Sequence, residues 1–367
     1  MNKKNIFYIA DFSLPNMSAY TLHVLKMCDA FSEKQFYVNL LLPFVEKDYN
    51  FSKTKKEYLL KSFFKIKIFF KKKHNRNFLF FLLYSFKILK FLKSQKPSLI
   101  ISRSVLPALF LSLFKHKIIL ELHTEPRGIT GLLFFVLKRF KFFDNVKFIL
   151  IHKNLNKKLS LNNSSFIVLD DCVDFRDFEE NHEIESSCAY TGSYVKGKGI
   201  ETIVKIAEQL PKINFNLYGN IKTLDDSLKD QIKKISNINL NDFKSYNEIT
   251  KILSKNKILL MPYENQIGVL IKGLDVSDYI SPLKLFDYLA SGSLIVASKK
   301  KVYDHILKDK FNCFLIESTN PKIWGDLILG LMNEKNNFEL IKLNAINTAK
   351  KYSWLMRIDK IREFAQI

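Results

Sequence analysis

Short apolar runs alternate along the chain with stretches whose apolar residues recur every three or four positions. "NIFYIAD" (5–11) reads as a first buried strand, ending in the polar loop "FSLPNMS". "AYTLHVLKMCDAFSEK" (19–34) has helical spacing, and "FYVNLLLP" (36–43) predicts a second strand. "SLIISR", "KIILELH" and "KFILIH" follow as further strands, and "FIVLDDCVD" (166–174) as another that runs into a connection. "GLLFFVLKRFKFF" (131–143) is a helix candidate. Two segments between residues 51 and 96, "YLLKSFFKIKIFFKKK" and "FLFFLLYSFKILKFLK", interleave lysines with bulky apolar residues and predict basic amphipathic helices.

The alternation restarts after "RDFEENHEIESS" (176–187), a polar, acidic stretch that reads as a linker. "CAYTGSYVKGKG" is a strand running into a glycine loop, "IETIVKIAEQL" a helix and "INFNLYGN" a strand. "SLKDQIKKIS" and "ITKILSKN" are helices, and "KILLMPY" is a strand. "SPLKLFDYLASG" (281–292) predicts a helix with Ser281 as cap, Pro282 at its first position and Gly292 as its stop, before the strand "SLIVAS". A helix is expected around Trp324 to Lys335, and the end of the chain, from "LIKLNAINTAKK" on, reads as long and helical. Two similar α/β halves follow from this order, and ligands of such sheets bind outside the carboxyl ends of the strands.

Charge adds a second division. Residues 1–170 hold 30 Lys+Arg against 10 Asp+Glu, so that half carries +20 of the chain's +22. Residues 51–96 alone have 14 basic residues and one acid, Glu57. A basic half beside a nearly neutral one suggests that one domain faces a polyanion, either nucleic acid or an anionic membrane. The four cysteines have no metal-type spacing and read as reduced and structural. The N-terminal apolar run is too short for a signal peptide, and no uncharged run is long enough to span a bilayer.

Four strand-end sites in the second half suit chemistry. Gly192, Ser193, Lys196 and Lys198 lie in a glycine loop with the spacing of neither a P-loop nor a dinucleotide fingerprint. Gly219 and Asn220 close "INFNLYGN", Glu264 follows "LLMPY", and Ser281, Pro282, Leu283 and Lys284 open the capped helix. A helix N-terminus attracts anions and a lysine there strengthens it, while Asp287, one turn on, suits a sugar hydroxyl. In the first half, His123 closes "KIILELH", with Glu125 and Arg127 in the same loop; Asn16, Met17 and Ser18 occupy the first loop. His23, His74 and His152 read as structural, and Asp170-Asp171 as a solvated turn rather than a metal pair.

The ordered set TG…KGKGIETIVKIAEQLP, YGN, LLMPY, SPLKLFDYLASGSLIVAS and a terminal YSW resembles the retaining GT-B glycosyltransferases of group 1, family 4 type. The resemblance implies two Rossmann-like domains facing each other across a cleft. Residues 1–172 would form the acceptor domain, 173–345 the nucleotide-sugar domain, and 346–367 a helix returning to the first. It implies that Lys198 contacts the donor diphosphate, that Lys284 and the loop before it face the phosphates, and that Asp287 meets the nucleotide ribose. His123 would hydrogen-bond the transferring sugar, making His123, Lys198 and Asp287 the catalytic set. Glu125, Arg127, Asn16 and Ser18 fall on the acceptor side. The chain departs from the family pattern at Ser193, where Arg is common, at Tyr279, where an acid is usual, and at residues 16–18, where a glycine pair is usual.

The implied function is transfer, with retention, of a sugar from a UDP- or GDP-linked donor to a saccharide or lipid-linked acceptor of the cell surface. No cofactor or metal is expected, since cations and helix N–H groups can stabilise the leaving diphosphate. The basic half implies a cytoplasmic protein, peripheral on the inner face of the membrane, with no nucleic acid as partner. Two alternatives remain from the residues: a basic nucleic-acid-binding protein without catalysis, against which no zinc-finger spacing or RNP1 pattern is found, and a GT-B-fold epimerase or inactive transferase homologue.

Overall fold

The computed structural model describes residues 4–178, 183–269, 273–334 and 338–367. The chain forms two compact units, one of residues 1–170 with 354–367, the other of residues 171–353. The middle of the expected linker, residues 179–182, and Lys335, the expected end of the helix from Trp324, lie outside the described residues.

The strands of the first unit are β1 (Asn5–Ile9), β2 (Ser13–Leu14), β3 (Tyr37–Leu42), β4 (Phe44–Val45), β5 (Lys65–Ile68), β6 (Leu99–Ser102), β7 (Ile118–Leu122), β8 (Val146–Leu150) and β9 (Phe166–Val168). Seven of them form one sheet in the order β5-β3-β1-β6-β7-β8-β9, and every pairing in it is parallel. The central strands are buried along nearly their whole length, which is why they read as apolar runs rather than as alternations. The helix Ala19–Glu33 is capped by Ser18, whose hydroxyl accepts the Thr21 N–H at 3.2 Å.

The second unit contains β10 (Glu185–Thr191), β11 (Asn214–Tyr218), β12 (Ile238–Asn241), β13 (Asn256–Met261), β14 (Leu294–Ser298) and β15 (Phe314–Ile316). They form a parallel sheet in the order β12-β11-β10-β13-β14-β15. Its core gathers Phe215, Leu217, Ile258, Val296 and Trp324 between the sheet and helices such as Ile200–Gln209 and Pro321–Asn333.

Two stretches depart from expectation. The stretch 58–73 is no amphipathic helix: Lys65, Ile66, Lys67 and Ile68 alternate with period two and form the edge strand β5 beside β3. Lysines on an edge strand discourage further pairing. The companion segment is a helix, Phe78–Leu92, as expected. Ser281 is not a cap; the helix runs Leu283–Ala290 with Pro282 at the cap position, and the Ser281 hydroxyl accepts the Asp171 N–H at 3.1 Å. The end of the chain is helical as expected, in two helices, Glu339–Lys350 and Trp354–Ala365, and the second belongs to the first unit, where it packs on Ala19–Glu33. The reading also missed the helix Val105–Leu113 and the strands β12 and β15.

Candidate active site

The carboxyl ends of the second unit's strands bring the glycine loop and the helix 283–290 together. β10 ends at Thr191, and the Gly192 amide donates to the Tyr218 carbonyl at the end of β11 (2.9 Å). Gly192 has φ +136°, and a Cβ there would lie 2.8 Å from the Lys284 Nζ, so only glycine lets the loop close on that ammonium. Gly199, at φ +80°, caps the helix Ile200–Gln209; a Cβ on it would strike the Pro262 carbonyl. Tyr288, on the helix 283–290, locks this arrangement by accepting the Thr191 N–H at 3.0 Å.

Two lysines meet in this loop cluster. Lys198 is buried, with its Nζ 4.7 Å from the centre of the Tyr263 ring. The Lys284 Nζ lies 5.4 Å from the same ring and 3.6 Å from that of Tyr190. Among the described residues the Lys284 Nζ, shielded from water, has no hydrogen-bond partner. Burial lowers the Lys198 pKa to about 8. Burial, and then repulsion from Lys198, hold Lys284 well below the usual lysine range. The aromatic faces soften the charge, but no carboxylate contributes to either shift. The unliganded unit should therefore gain stability as pH rises from about 8 toward the ordinary lysine range, where Lys198 sheds the charge that burial penalises.

Other expected residues have defined places. Asp287 is buried and accepts the Tyr246 hydroxyl on Oδ1 at 2.9 Å, so part of its carboxylate is already engaged. Asn220 uses its side-chain oxygen to cap a short turn, accepting the Lys222 N–H at 3.0 Å. Its neighbour Gly219 passes so close to Gly192 that a Cβ would strike the Gly192 carbonyl. Glu264 donates its amide to the Gly197 carbonyl (3.1 Å), and burial, then repulsion from Glu201, raises its carboxyl above the usual range. Lys196 is exposed and Ser193 half-buried in the same loop.

In the first unit, His123 stands at the end of β7 with its Nε2 2.9 Å from Glu121 Oε1. Sequence reasoning did not single out Glu121, although an acid inside "IILEL" was the available signal. Its Oε1 also lies 2.8 Å from His23 Nε2 and accepts Arg357 Nη2 at 2.8 Å, while Oε2 accepts the Tyr8 hydroxyl at 3.0 Å. Burial alone would raise this carboxyl, but His23 and Arg357 outweigh it and, with the histidine hydrogen bonds, hold it well below the usual range. His23, Glu121 and His123 bring ligand-type atoms within 4.8 Å of one another, with Arg357 already supplying a cation to the carboxylate. Glu125 pairs with Arg127 (3.1 Å) and Lys158 (3.3 Å). Asn16 Oδ1 accepts the Ser18 N–H at 2.8 Å, and both residues serve the start of the first helix. His152 is buried and accepts the Asn154 N–H on Nδ1 at 3.1 Å, a structural role.

The chain thus has two α/β units, each with a parallel sheet, and in the second two lysines are buried together beside the start of the helix 283–290. No protein-family model matches the sequence, and no curated protein matches it. Solved structures do resemble it along its length. A glycosyltransferase from Rickettsia africae shares 10% identity at a TM-score of 0.72, covering 99% of each chain. Anabaena HepE, in complex with UDP-glucose, shares 11% at 0.71, covering 98% of each. A mutant of S. aureus TarM, in complex with fondaparinux, α-GlcNAc-glycerol and UDP, shares 13% at 0.72, covering 99% of this chain and 100% of that one. The fold is thus the GT-B fold of glycosyltransferases.

Proposed function

We propose that this protein is a glycosyltransferase that takes a sugar from a nucleoside-diphosphate donor and passes it, with retention of configuration, to a saccharide or lipid-linked acceptor of the cell surface. One observation carries the reading: Lys198 and Lys284 are buried together without a counter-charge, in a glycine-lined loop beside a helix N-terminus. Two desolvated ammonium groups facing each other are unfavourable until an anion joins them. A diphosphate supplies that anion, and its charge grows as the glycosidic bond breaks, so the same groups stabilise the transition state. First-turn N–H groups of the helix 283–290 add to this. In this proposal Asp287 meets the ribose, Gly192, Ser193, Lys196, Glu264 and Ser281 line the donor, and His123 meets the transferring sugar. The low-identity likeness to HepE, seen with UDP-glucose, and to TarM, seen with UDP, supports a uridine donor.

The direct test is proton-coupled binding. A bound diphosphate raises the lysine pKa values, so UDP should bind with proton uptake at about pH 8.5, above the unliganded Lys198 value of about 8. Calorimetry in two buffers of different ionisation enthalpy measures the uptake. Affinity should fall as pH rises past that value, and Lys198→Met should remove part of the uptake. If neither UDP nor GDP binds, the donor-site reading fails.

The first unit supports a membrane-facing role. Helix 78–92 exposes Leu79, Leu83 and Phe86, spaced four and three apart, with Lys87 and Lys90 beside them. Segment 128–142 exposes Ile129, Leu132, Phe135, Phe140 and Phe142 around Arg139 and Lys141. The helix 105–113 packs against both. No helix among the described residues is long and apolar enough to cross a membrane. Apolar side chains can instead enter the acyl boundary while basic ones meet anionic headgroups, each worth about 1 kcal/mol. The protein should co-sediment with vesicles rich in anionic lipid, be released by salt, and lose on the order of tenfold in binding per Leu83→Glu or Leu132→Glu change. Tight binding to RNA with indifference to vesicles would favour the nucleic-acid reading instead.

A further inference from the structure

The first unit has a polar cluster that the donor reading does not use. Its strand order reverses between β1 and β6: the chain leaves β1 for β3 on one side and later enters β6 on the other. Ligands of doubly wound sheets sit outside the carboxyl ends at such a reversal. The residues there are Asp11, just past β1, and Arg103 and Ser104, directly after β6.

This loop is fixed by its own hydrogen bonds. The Arg103 amide donates to the Ile9 carbonyl (3.0 Å), and the Ser102 hydroxyl accepts the Ser104 N–H (3.2 Å) while donating to the Ser104 carbonyl (2.7 Å). The Ser104 hydroxyl donates to Asp11 Oδ2 at 3.0 Å. The Asp11 carboxylate is ion-paired with Arg76, at 3.0 Å. The Arg103 guanidinium instead lies over the Tyr20 ring, 4.7 Å from its centre, and Tyr20 is held by the Asp11 amide, which donates to its hydroxyl at 3.3 Å. Among the described residues the Arg103 Nη1, shielded from water, meets no acceptor.

The Asp11 carboxylate is thus engaged by Arg76 and Ser104, while the Arg103 guanidinium, stacked on Tyr20, keeps an unmet donor. A buried charged donor without a partner is costly, and the planar guanidinium fork matches an oxyanion with two parallel hydrogen bonds. Because the backbone around Arg103 is already ordered, little ordering remains to be done on binding. We propose that this edge of the first unit binds an oxyanion, phosphate or carboxylate, carried by the sugar acceptor, and that Arg103 is the residue that recognises it. The word acceptor rests on the glycosyltransferase reading; the anion site itself does not. An enzyme with this site favours charged acceptors over neutral sugars.

The test uses the full chain with UDP present in excess, so that the lysine pair of the second unit is filled. Glycerol 1-phosphate, glucuronate and glycerol are then titrated by calorimetry. At least one of the two anions should bind and glycerol should not; which anion binds separates a phosphate source from a carboxylate source. Arg103→Gln should weaken anion binding by tenfold or more and leave UDP affinity unchanged. Arg103→Lys, which keeps the charge and loses the fork, should also weaken it, and it carries the test should the glutamine variant fail to fold. Equal anion binding by wild type and the Arg103 variants, or binding of neither anion, overturns the proposal. Arg103-dependent anion binding in a protein that ignores UDP would overturn the donor reading and leave this site standing.

Discussion

Lys284→Met is expected to make the unliganded protein more stable and, at the same time, to weaken UDP binding on the order of 10- to 100-fold. The Lys284 ammonium is shielded from water without a hydrogen-bond partner among the described residues, and Lys198 repels it. An unsatisfied buried donor costs about 1–3 kcal/mol, more when charged. A methionine of similar length keeps the contact with the Tyr190 ring, over which the ammonium lies at 3.6 Å, and removes that cost. In the proposed donor complex the same change deletes a charge-assisted hydrogen bond to the diphosphate, worth about 1.5–3 kcal/mol. Thermal unfolding with and without UDP reads both effects. If the lysine is merely structural, stability and binding fall together; if it is incidental, neither moves. Only a residue kept for its ligand gives opposite signs.

Glu121→Gln should destabilise the first unit by about 3–5 kcal/mol at neutral pH, because it leaves Arg357 buried without its counter-charge. Both side chains are at most 1% exposed. The loss should localise: helix Trp354–Ala365, which carries Arg357, should lose its protection from hydrogen exchange before the sheet does. Glu121→Gln with Arg357→Met removes both charges and should recover much of the loss. Because the folded carboxyl is held below its ordinary value, this stabilisation is present above the unfolded carboxylate range and is lost as pH falls through the folded value. A Glu121→Gln protein within 1 kcal/mol of wild type would count against a stabilising role for the Glu121–Arg357 pair. His123 shares this carboxylate, so its ring orientation should loosen in the same variant.

Much of the fold was legible because parallel strands covered on both faces leave apolar runs, and the helices between them leave three- and four-residue periods. β12 was missed because "INLN" is polar on one side and half-exposed. β5 was misread because lysine alternating with isoleucine fits a basic helix by composition, and only pairing with β3 shows the period of two in use. Ser281 shows the same limit: serine before proline is a good cap in isolation, yet its hydroxyl is taken by the amide of Asp171, far away in the chain.

The sequence by itself determined the two α/β units, the charge asymmetry between the halves, and the positions of the glycine loop and the lysine-bearing helix at strand ends. It could do so because burial, periodicity and glycine turns are local properties of a chain. Only the tertiary structure decided that Lys198 and Lys284 lie together without a carboxylate, that Glu121 gathers Tyr8, His23, His123 and Arg357, and that Arg103 is left with an open donor. Those facts depend on which distant side chains meet, and whether a buried charge is paired is fixed by global packing rather than by its neighbours in sequence.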